Sequence, residues 1–413
     1  MSSGILVVSE QNLEKLRDFL EVAKTLEVDR LYVRLELPRT DEIISKIYLL
    51  SANICPRTDV RILVKSENPE DCLLIGDKKP VENTGKVPKK YKKVVLGGTF
   101  DRLHNGHKVL LNKAIELASE EIVVGVTDKE MIIKKSLFEM IGPVDYRMKK
   151  VIDFVEDISG EVSFQPRRSL YLILIFQAKC TTEPIIDPFG PSTRIPDLEA
   201  IIVSRETLKG GDAVNKKRNE NGMSQLDVIV VELVEGSDEI LNEIKISSSS
   251  KRREELGRLL KPVANQKTPG TPYFVNLNGG SGSGIEQIEG YLKEKNGIEV
   301  VNWDVLDSDK KMKVFENNSR ISNIKVIVIT SSVPIEAAQV SEIWTTFVPA
   351  SEAIRRIIQR NEITGEEAQK KLSSEMPSKE RIERSHVALC TLWNEKETRN
   401  QVDKAVRGLM KRL

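Results

Sequence analysis

Lys93-Val-Val-Leu-Gly97-Gly-Thr99-Phe-Asp-Arg-Leu-His104-Asn-Gly-His107 is the stretch on which the reading of this chain turns. Val94 to Leu96 is a short apolar run and reads as a buried strand. Gly97 and Gly98 follow; lacking a Cβ, they permit a sharp turn and a close approach of backbone to a ligand. From about Asn105 the period becomes helical, with Val109, Leu110, Ala114, Leu117 and Ala118 on one stripe. His104 and His107 therefore stand where a strand hands over to a helix N-terminus, and backbone N–H groups and the helix dipole favour an anion there. The chain has 3 histidines, and this loop holds all but one. A lone histidine at a helix start is usually a cap, but a spaced pair behind Gly-Gly-Thr is a candidate phosphate site.

Composition narrows the classes. At 413 residues the chain has room for about two or three domains. Its 63 basic and 62 acidic residues leave a net charge of +1, so no global field points to nucleic acid or an anionic membrane. Aromatic residues are 5%, too few for a base-stacking surface. Cys55, Cys72, Cys180 and Cys390 have neither metal nor redox spacing, as expected of a reduced cytosolic protein. The start, Met1-Ser-Ser-Gly-Ile-Leu-Val-Val, has no basic segment and no long apolar one, so no secretory signal is expected. The longest apolar run, Leu170 to Phe176, is too short to span a bilayer.

Around the opening stretch the chain divides into three α/β units. Ile5–Val8, Leu31–Leu35 and Val60–Val64 read as strands between helices at Leu13–Leu26 and Glu42–Leu50, a small domain over 1–76. A Lys-, Pro- and Gly-rich linker follows over 77–92. The second domain, 93–261, has further strands at Glu121–Val126, Leu198–Ser204 and Leu226–Leu233, with a charged helix through Val214–Gly222. Such alternation predicts a right-handed, mostly parallel, doubly wound Rossmann-like sheet with ligands at the strand carboxyl ends. Lys245-Ile-Ser247-Ser248-Ser249-Ser250 precedes a helical Lys251–Leu260; hydroxyls and N–H groups at a helix start, beside a lysine, suit phosphates. Lys134 and Lys135 follow one strand, and Arg205-Glu206-Thr207 follows another. A linker over 262–272 leads to a third unit over 273–413.

The motif G-G-T-F-D-x-x-H-x-G-H resembles the signature of the HxGH nucleotidyltransferases. In order, VVLGGTFDRLHNGHKVLL (94–111), VVGVTDKEM (123–131), IDPFGPS (186–192), VSRETLKGGDAVNKKR (203–218) and KISSSS (245–250) resemble the phosphopantetheine adenylyltransferase of bifunctional coenzyme A synthase. The resemblance implies transfer of AMP from ATP to 4′-phosphopantetheine, with dephospho-coenzyme A and pyrophosphate as products. It implies that Thr99, flanked by Gly98 and Phe100, and the Lys134/Lys135 pair hold the pantetheine phosphate. His104, His107 and Ser247–Ser250, with Lys245, would hold the triphosphate, and Arg205 and Glu206 would lie nearby. His104, His107 and Lys135 are the expected catalytic group. Mg²⁺ would accompany ATP, with no protein metal cluster expected. A cytoplasmic location, with room for mitochondrial association, goes with that family.

Two departures stand out. Pro166 to Cys180 interrupts the order between Val162-Ser-Phe-Gln165 and Thr182-Glu-Pro, and reads either as retained intron sequence or as an insertion that perturbs the pocket. The third unit resembles dephospho-coenzyme A kinase through Ile343-Trp-Thr-Thr-Phe-Val-Pro, Ala353–Arg360 and Ser385–Trp393. Its phosphate-loop frame, Gly279-Gly-Ser-Gly-Ser-Gly284, is followed by Ile285 and Glu286 where Lys and Ser/Thr belong. Asn302-Trp303-Asp304 replaces an Asp-x-Asp pair, and the segment between Asp304 and Ile324 is short. His386 reads as structural. The unit is expected to be a pseudokinase, leaving the last step to a separate kinase. The alternatives are a cytidylyltransferase acting on a phosphorylated alcohol, a class I aminoacyl-tRNA synthetase, or a non-catalytic scaffold. No motif specifies an oligomeric state.

Overall fold

Short runs of β-branched and aliphatic residues, each separated from the next by a helix or loop, form three sheets in which every pairing of named strands is parallel. The computed structural model describes residues 2–65, 67–80, 89–160, 178–231, 248–263, 273–316, 325–335 and 339–413. The chain separates into two compact units, one of residues 1–134 and 142–248, the other of 135–141 and 249–413.

The first unit holds two sheets. The N-terminal one has the order β3-β2-β1-β4, with β1 Ser3–Val8, β2 Arg30–Leu35, β3 Asp59–Ile62 and β4 Leu73–Ile75. Its helices are α1, Leu16–Thr25, and α2, Asp41–Ile54, whose start is capped where the Thr40 hydroxyl accepts the Ile43 N–H. The middle sheet has the order β7-β6-β5-β8-β9. These strands are β5 Tyr91–Gly98, β6 Ala118–Thr127, β7 Lys179–Ile185, β8 Ala200–Ser204 and β9 Asp227–Val231. Between them run α3, Asn105–Leu117, α4, Glu130–Ile133, α5, Val144–Ser159, and α6, Leu208–Glu220.

β5 is central. The chain leaves it to lay down β6 and β7 on one side, then returns to lay down β8 and β9 on the other. The order reverses between β5 and β8, and sheets of this kind bind ligands beyond the strand carboxyl ends at such a reversal. Side chains alternate across β5. Val94 and Leu96 enter a core continuous with the N-terminal sheet, while Val95 joins Val123, Ile201, Val203 and Val214 on the opposite face. The shared core explains why the first two sheets form one unit. The helix after the histidine loop starts at Asn105, as its period predicts.

Residues 161–177, which hold most of the interrupting segment, lie outside the described residues. Its last two strand residues, Lys179 and Cys180, open β7 in register with Glu121 and Ile122. Burial pushes the Cys180 thiol up to about 12, so it is a packing group and not a nucleophile.

The second unit is built on a sheet of order β11-β12-β10-β13-β14. Its strands are β10 Tyr273–Gly279, β11 Ile298–Asn302, β12 Val326–Ser331, β13 Glu342–Phe347 and β14 Val387–Cys390. Trp344, wholly buried, anchors one face with Val275, Leu277 and Leu389. Among the described residues no helix is long and apolar enough to cross a membrane.

Candidate active site

β5 ends at Gly98, and the six residues before α3 form a loop at the carboxyl end of the central strand. The expected glycine turn is placed differently by the structure. Gly97 and Gly98 stay within β5, and the left-handed backbone positions are Phe100 (φ 47°) and Arg102 (φ 48°). Packing is the reason. The Phe100 ring is driven into the core at 1% exposure, and a Cβ on Gly98 would lie 3.0 Å from its Cε2. Gly98 thus makes room for an aromatic ring, and the strained backbone is carried by the ring's own residue.

His104 is the N-cap of α3, with extended backbone (φ −107°, ψ 172°), and His107 lies in the first turn. Their rings stack at 3.8 Å between centroids, and Phe100 backs His107 at 5.0 Å. The His104 N–H points to Nδ1 of His107 at a long 3.5 Å. An Nδ1 that accepts leaves Nε2 to carry the proton in the neutral ring, and so to donate to a ligand. Both rings are half-buried at a helix N-terminus, where charge-assisted bonds to an anion form readily.

The loop is fixed from three directions. Arg147 on α5, 2% exposed, donates from Nη1 to the carbonyls of Thr99 (2.7 Å) and Thr127 (2.9 Å) and from Nε to Gly142 (2.8 Å). Thr127 donates its hydroxyl to Thr99 Oγ1 at 3.0 Å, so the ends of β5 and β6 are tied by side chains and by a shared guanidinium. Asp101 is 2% exposed; its carboxylate takes both Arg102 Nη1 (2.9 Å) and the Gly142 N–H (3.3 Å). Ser248 donates its hydroxyl to the Asp101 carbonyl at 2.9 Å.

Of the residues expected from sequence, the structure gathers Gly98, Thr99, Phe100, His104 and His107 on this loop. Lys134 closes α4 after β6, and Arg205 and Glu206 open the turn after β8. All of these follow carboxyl ends of parallel strands, and Ser248 joins them through Asp101. Lys245 and Ser247 lie outside the described residues. Lys135, Ser249 and Ser250 belong to the second unit. There Ser249 Oγ accepts from Arg252 Nη2 at 3.3 Å, and the buried Arg252 guanidinium donates to the carbonyl of Ser136, next to Lys135, at 2.8 and 3.0 Å. Among the described residues no group of three His, Cys, Asp or Glu could hold a metal ion.

Sequence reasoning passed over Arg147 and Asp101. A signal for Arg147 existed: it shares a helical face with Val151, Phe154, Val155 and Ile158, all buried. An arginine on an apolar face announces a fixed, hydrogen-bonded role.

The second unit carries its own loop after β10. Gly282 (φ 76°) and Gly284 (φ 78°) take left-handed backbone, and a Cβ on Gly282 would lie 2.7 Å from the Ala353 carbonyl. A cavity of about 710 Å³ borders the loop, lined also by Asn302, Asp304, Arg356 and Arg360. Glu375 reaches into the loop: Oε2 accepts the Ser281 N–H at 2.8 Å and Oε1 accepts its hydroxyl at 2.5 Å. Glu286 pairs with Arg360 at 2.5 Å, and Asn302 Oδ1 accepts the Asp304 N–H at 3.0 Å. His386 Nδ1 accepts the Ile343 N–H at 3.0 Å, consistent with a structural role.

A protein-family model described as cytidylyltransferase-like matches residues 95–254. The phosphopantetheine adenylyltransferase of Saccharomyces cerevisiae is 36% identical over 184 residues, 44% of this chain and 53% of that protein. That of Pyrococcus furiosus is 42% identical over 148 residues, 36% of this chain and 81% of its own. That of Pyrococcus horikoshii is 38% identical over 183 residues, 44% of this chain and 98% of its own. The chain thus spans about half of the yeast relative and nearly all of the last archaeal one.

Arg147→Met should leave the carbonyls of Thr99, Thr127 and Gly142 without this donor and lower unfolding free energy of the first unit by about 2–4 kcal/mol. Arg147→Lys should recover little of this, since one ammonium lacks the planar fork. Urea unfolding checks both; a loss under about 1 kcal/mol for Met contradicts the anchoring role.

Proposed function

Because the chain belongs to the phosphopantetheine adenylyltransferase family, we propose that it transfers AMP from ATP to 4′-phosphopantetheine, releasing pyrophosphate and forming dephospho-coenzyme A. The observation that carries this reading is the stacked His104/His107 pair at the N-terminus of α3, placed where the order of the middle sheet reverses.

The chemistry asks little covalent work of the protein. A phosphate oxygen of 4′-phosphopantetheine is already anionic; it attacks the α-phosphorus as the bond to the β-phosphate oxygen breaks, and pyrophosphate leaves with that electron pair. Rate then comes from in-line positioning and from donors aimed at charge that grows on the α-phosphate and the leaving group. His104 and His107 supply N–H donors at a helix start. In this reading Thr99 and Lys134 take the acceptor's phosphate, and Arg205 and Glu206 lie near the triphosphate. Ser248 holds the loop through Asp101. Mg²⁺ enters as part of the ATP substrate.

We further propose that the second unit is not a kinase and that a separate dephospho-coenzyme A kinase completes the sequence. Ile285 and Glu286 stand where a lysine and a hydroxyl would meet phosphate and metal, and Asn302 cannot accept a proton. Glu375 adds support, because its carboxylate already takes the donors of Ser281 in the loop.

His107→Ala should fold normally and lose about 10²–10³ in kcat, followed by pyrophosphate release from ATP with 4′-phosphopantetheine. Near-parent turnover removes His107 from the catalytic account, and CTP should not replace ATP. With ATP, Mg²⁺ and 4′-phosphopantetheine, chromatography should show dephospho-coenzyme A accumulating unconverted, and Ile285→Lys should not change this. Coenzyme A formed at a rate comparable to the first step overturns the pseudokinase reading. Glu375→Ala should bind inorganic pyrophosphate at least about tenfold more tightly than the parent by calorimetry, because the loop donors are freed. Equal affinities contradict the occupied-loop account.

A further inference from the structure

α3 is not held by an apolar stripe alone. Lys108, Asn112 and Glu116 are buried on it at 4%, 0% and 6% exposure, one helical turn apart. Each is bonded to the N-terminal α/β segment, through β3, through α2 or through Arg39 in the loop between β2 and α2. Lys108 Nζ donates to Asp59 Oδ1 at 2.6 Å and to the Val60 carbonyl at 2.8 Å. Asn112 Nδ2 donates to the Tyr48 hydroxyl at 2.9 Å, and its Oδ1 accepts Arg39 Nη2 at 3.1 Å. Glu116 pairs with Arg39 Nε at 2.7 Å, while Arg39 Nη1 holds the Leu63 carbonyl at 2.7 Å. At the first turn, Asn105 Nδ2 donates to the Tyr48 carbonyl at 2.5 Å; at the third, Lys113 pairs with Asp41 at 2.7 Å. Asn105 follows His104 directly, and Lys108 follows His107 directly.

Apolar faces tolerate small slides and rotations, whereas a row of directional, charge-assisted bonds permits one setting. The surrounding groups are consistent with a permanent tie. Burial raises the Asp59 carboxyl, but Lys108 and Arg61 outweigh it and hold it at about 2, so it is ionised at neutral pH. Arg61 also binds Asp157 on α5 at 2.6 Å, and the Val64 and Lys65 N–H groups both meet the Ile158 carbonyl at 2.9 Å. The N-terminal sheet therefore grips both helices that carry the histidine loop and its anchoring arginine.

We propose that the N-terminal α/β segment is a positioning element of the transferase site, in which Asp59 and Tyr48 set the rotation and axial placement of α3 and hence of His104 and His107. This rests on the adenylyltransferase reading. Both are positioning residues, acting through Lys108, Asn112 and Asn105, with no contact to substrate required. A displacement of about 1 Å at a reacting centre costs up to about 10²-fold in rate, so a small loosening of α3 is enough.

The test compares the full-length parent with Asp59→Asn and with the milder Tyr48→Phe, both assayed well below their melting temperatures. Asp59→Asn should lower kcat about 10–100-fold and Tyr48→Phe about 3–10-fold, with KM for ATP and 4′-phosphopantetheine changed less than about threefold. In parallel, hydrogen exchange of the α3 amides from Lys108 onward, the first that bond within the helix, should speed by at least about tenfold in Asp59→Asn, while amides of β5 stay protected. If either variant melts earlier yet keeps parent kcat per folded molecule, the segment is only structural and the proposal is overturned. If Asp59→Asn does not fold, Tyr48→Phe decides alone. If the parent itself releases no pyrophosphate, the functional reading has failed, and the exchange data still judge the grip on α3: unchanged exchange overturns it.

Discussion

A guanidinium buried between the ends of two parallel strands is the constraint on which the histidine loop depends. Arg147 satisfies the carbonyls of Thr99, Thr127 and Gly142 together, and a buried carbonyl left without a donor is costly. With Thr99 held, the chain has few ways to reach the start of α3, and it takes one that puts Phe100 and Arg102 in left-handed backbone. Non-glycine residues accept that geometry at a cost of about 1–3 kcal/mol each. Burial of the Phe100 ring, the Asp101 carboxylate on the Gly142 N–H and the Ser248 hydroxyl on the Asp101 carbonyl offset it. The histidines are thus placed by backbone that the surrounding core over-determines.

What was readable in the sequence is what depends on local period. The strands around Val94, Val123, Ile201 and Val228 and the start of α3 at Asn105 follow from apolar runs and a switch of period. So does the convergence of the loop after β5 with the turns after β6 and β8, because parallel topology puts strand carboxyl ends together. What depends on a distant partner was not readable. Lys108, Asn112 and Glu116 look like the solvent face of a helix until Asp59, Tyr48 and Arg39 are brought against them. Gly97-Gly98 looks like the turn until the Phe100 ring claims the space beside Gly98. Glu375 lies far along the chain from Ser281, in a short bend between two helices with no distinguishing pattern.

The two units treat a shared architecture differently. Each sets a loop after the central strand of a five-stranded parallel sheet, followed by a helix. In the first, the loop ends in two imidazoles whose N–H groups suit an incoming anion. In the second, glycines shape the loop, but a carboxylate from the same chain, Glu375, already sits on its donors. Loop shape and loop chemistry are therefore separable: the glycines are retained by contacts such as Gly282 against Ala353, whatever the loop binds.

That internal carboxylate also changes how the second unit relates to its surroundings. A phosphate loop that waits for nucleotide owes part of its stability to mass action, and its melting point rises and falls with the concentration of the free ligand. Glu375 is tethered to the same chain, so its effective concentration at Ser281 is set by the fold and does not vary with the pool of phosphates around the molecule. What this contact adds to the unit's stability is therefore constant, whatever the phosphate concentration around the molecule while Glu375 stays in place.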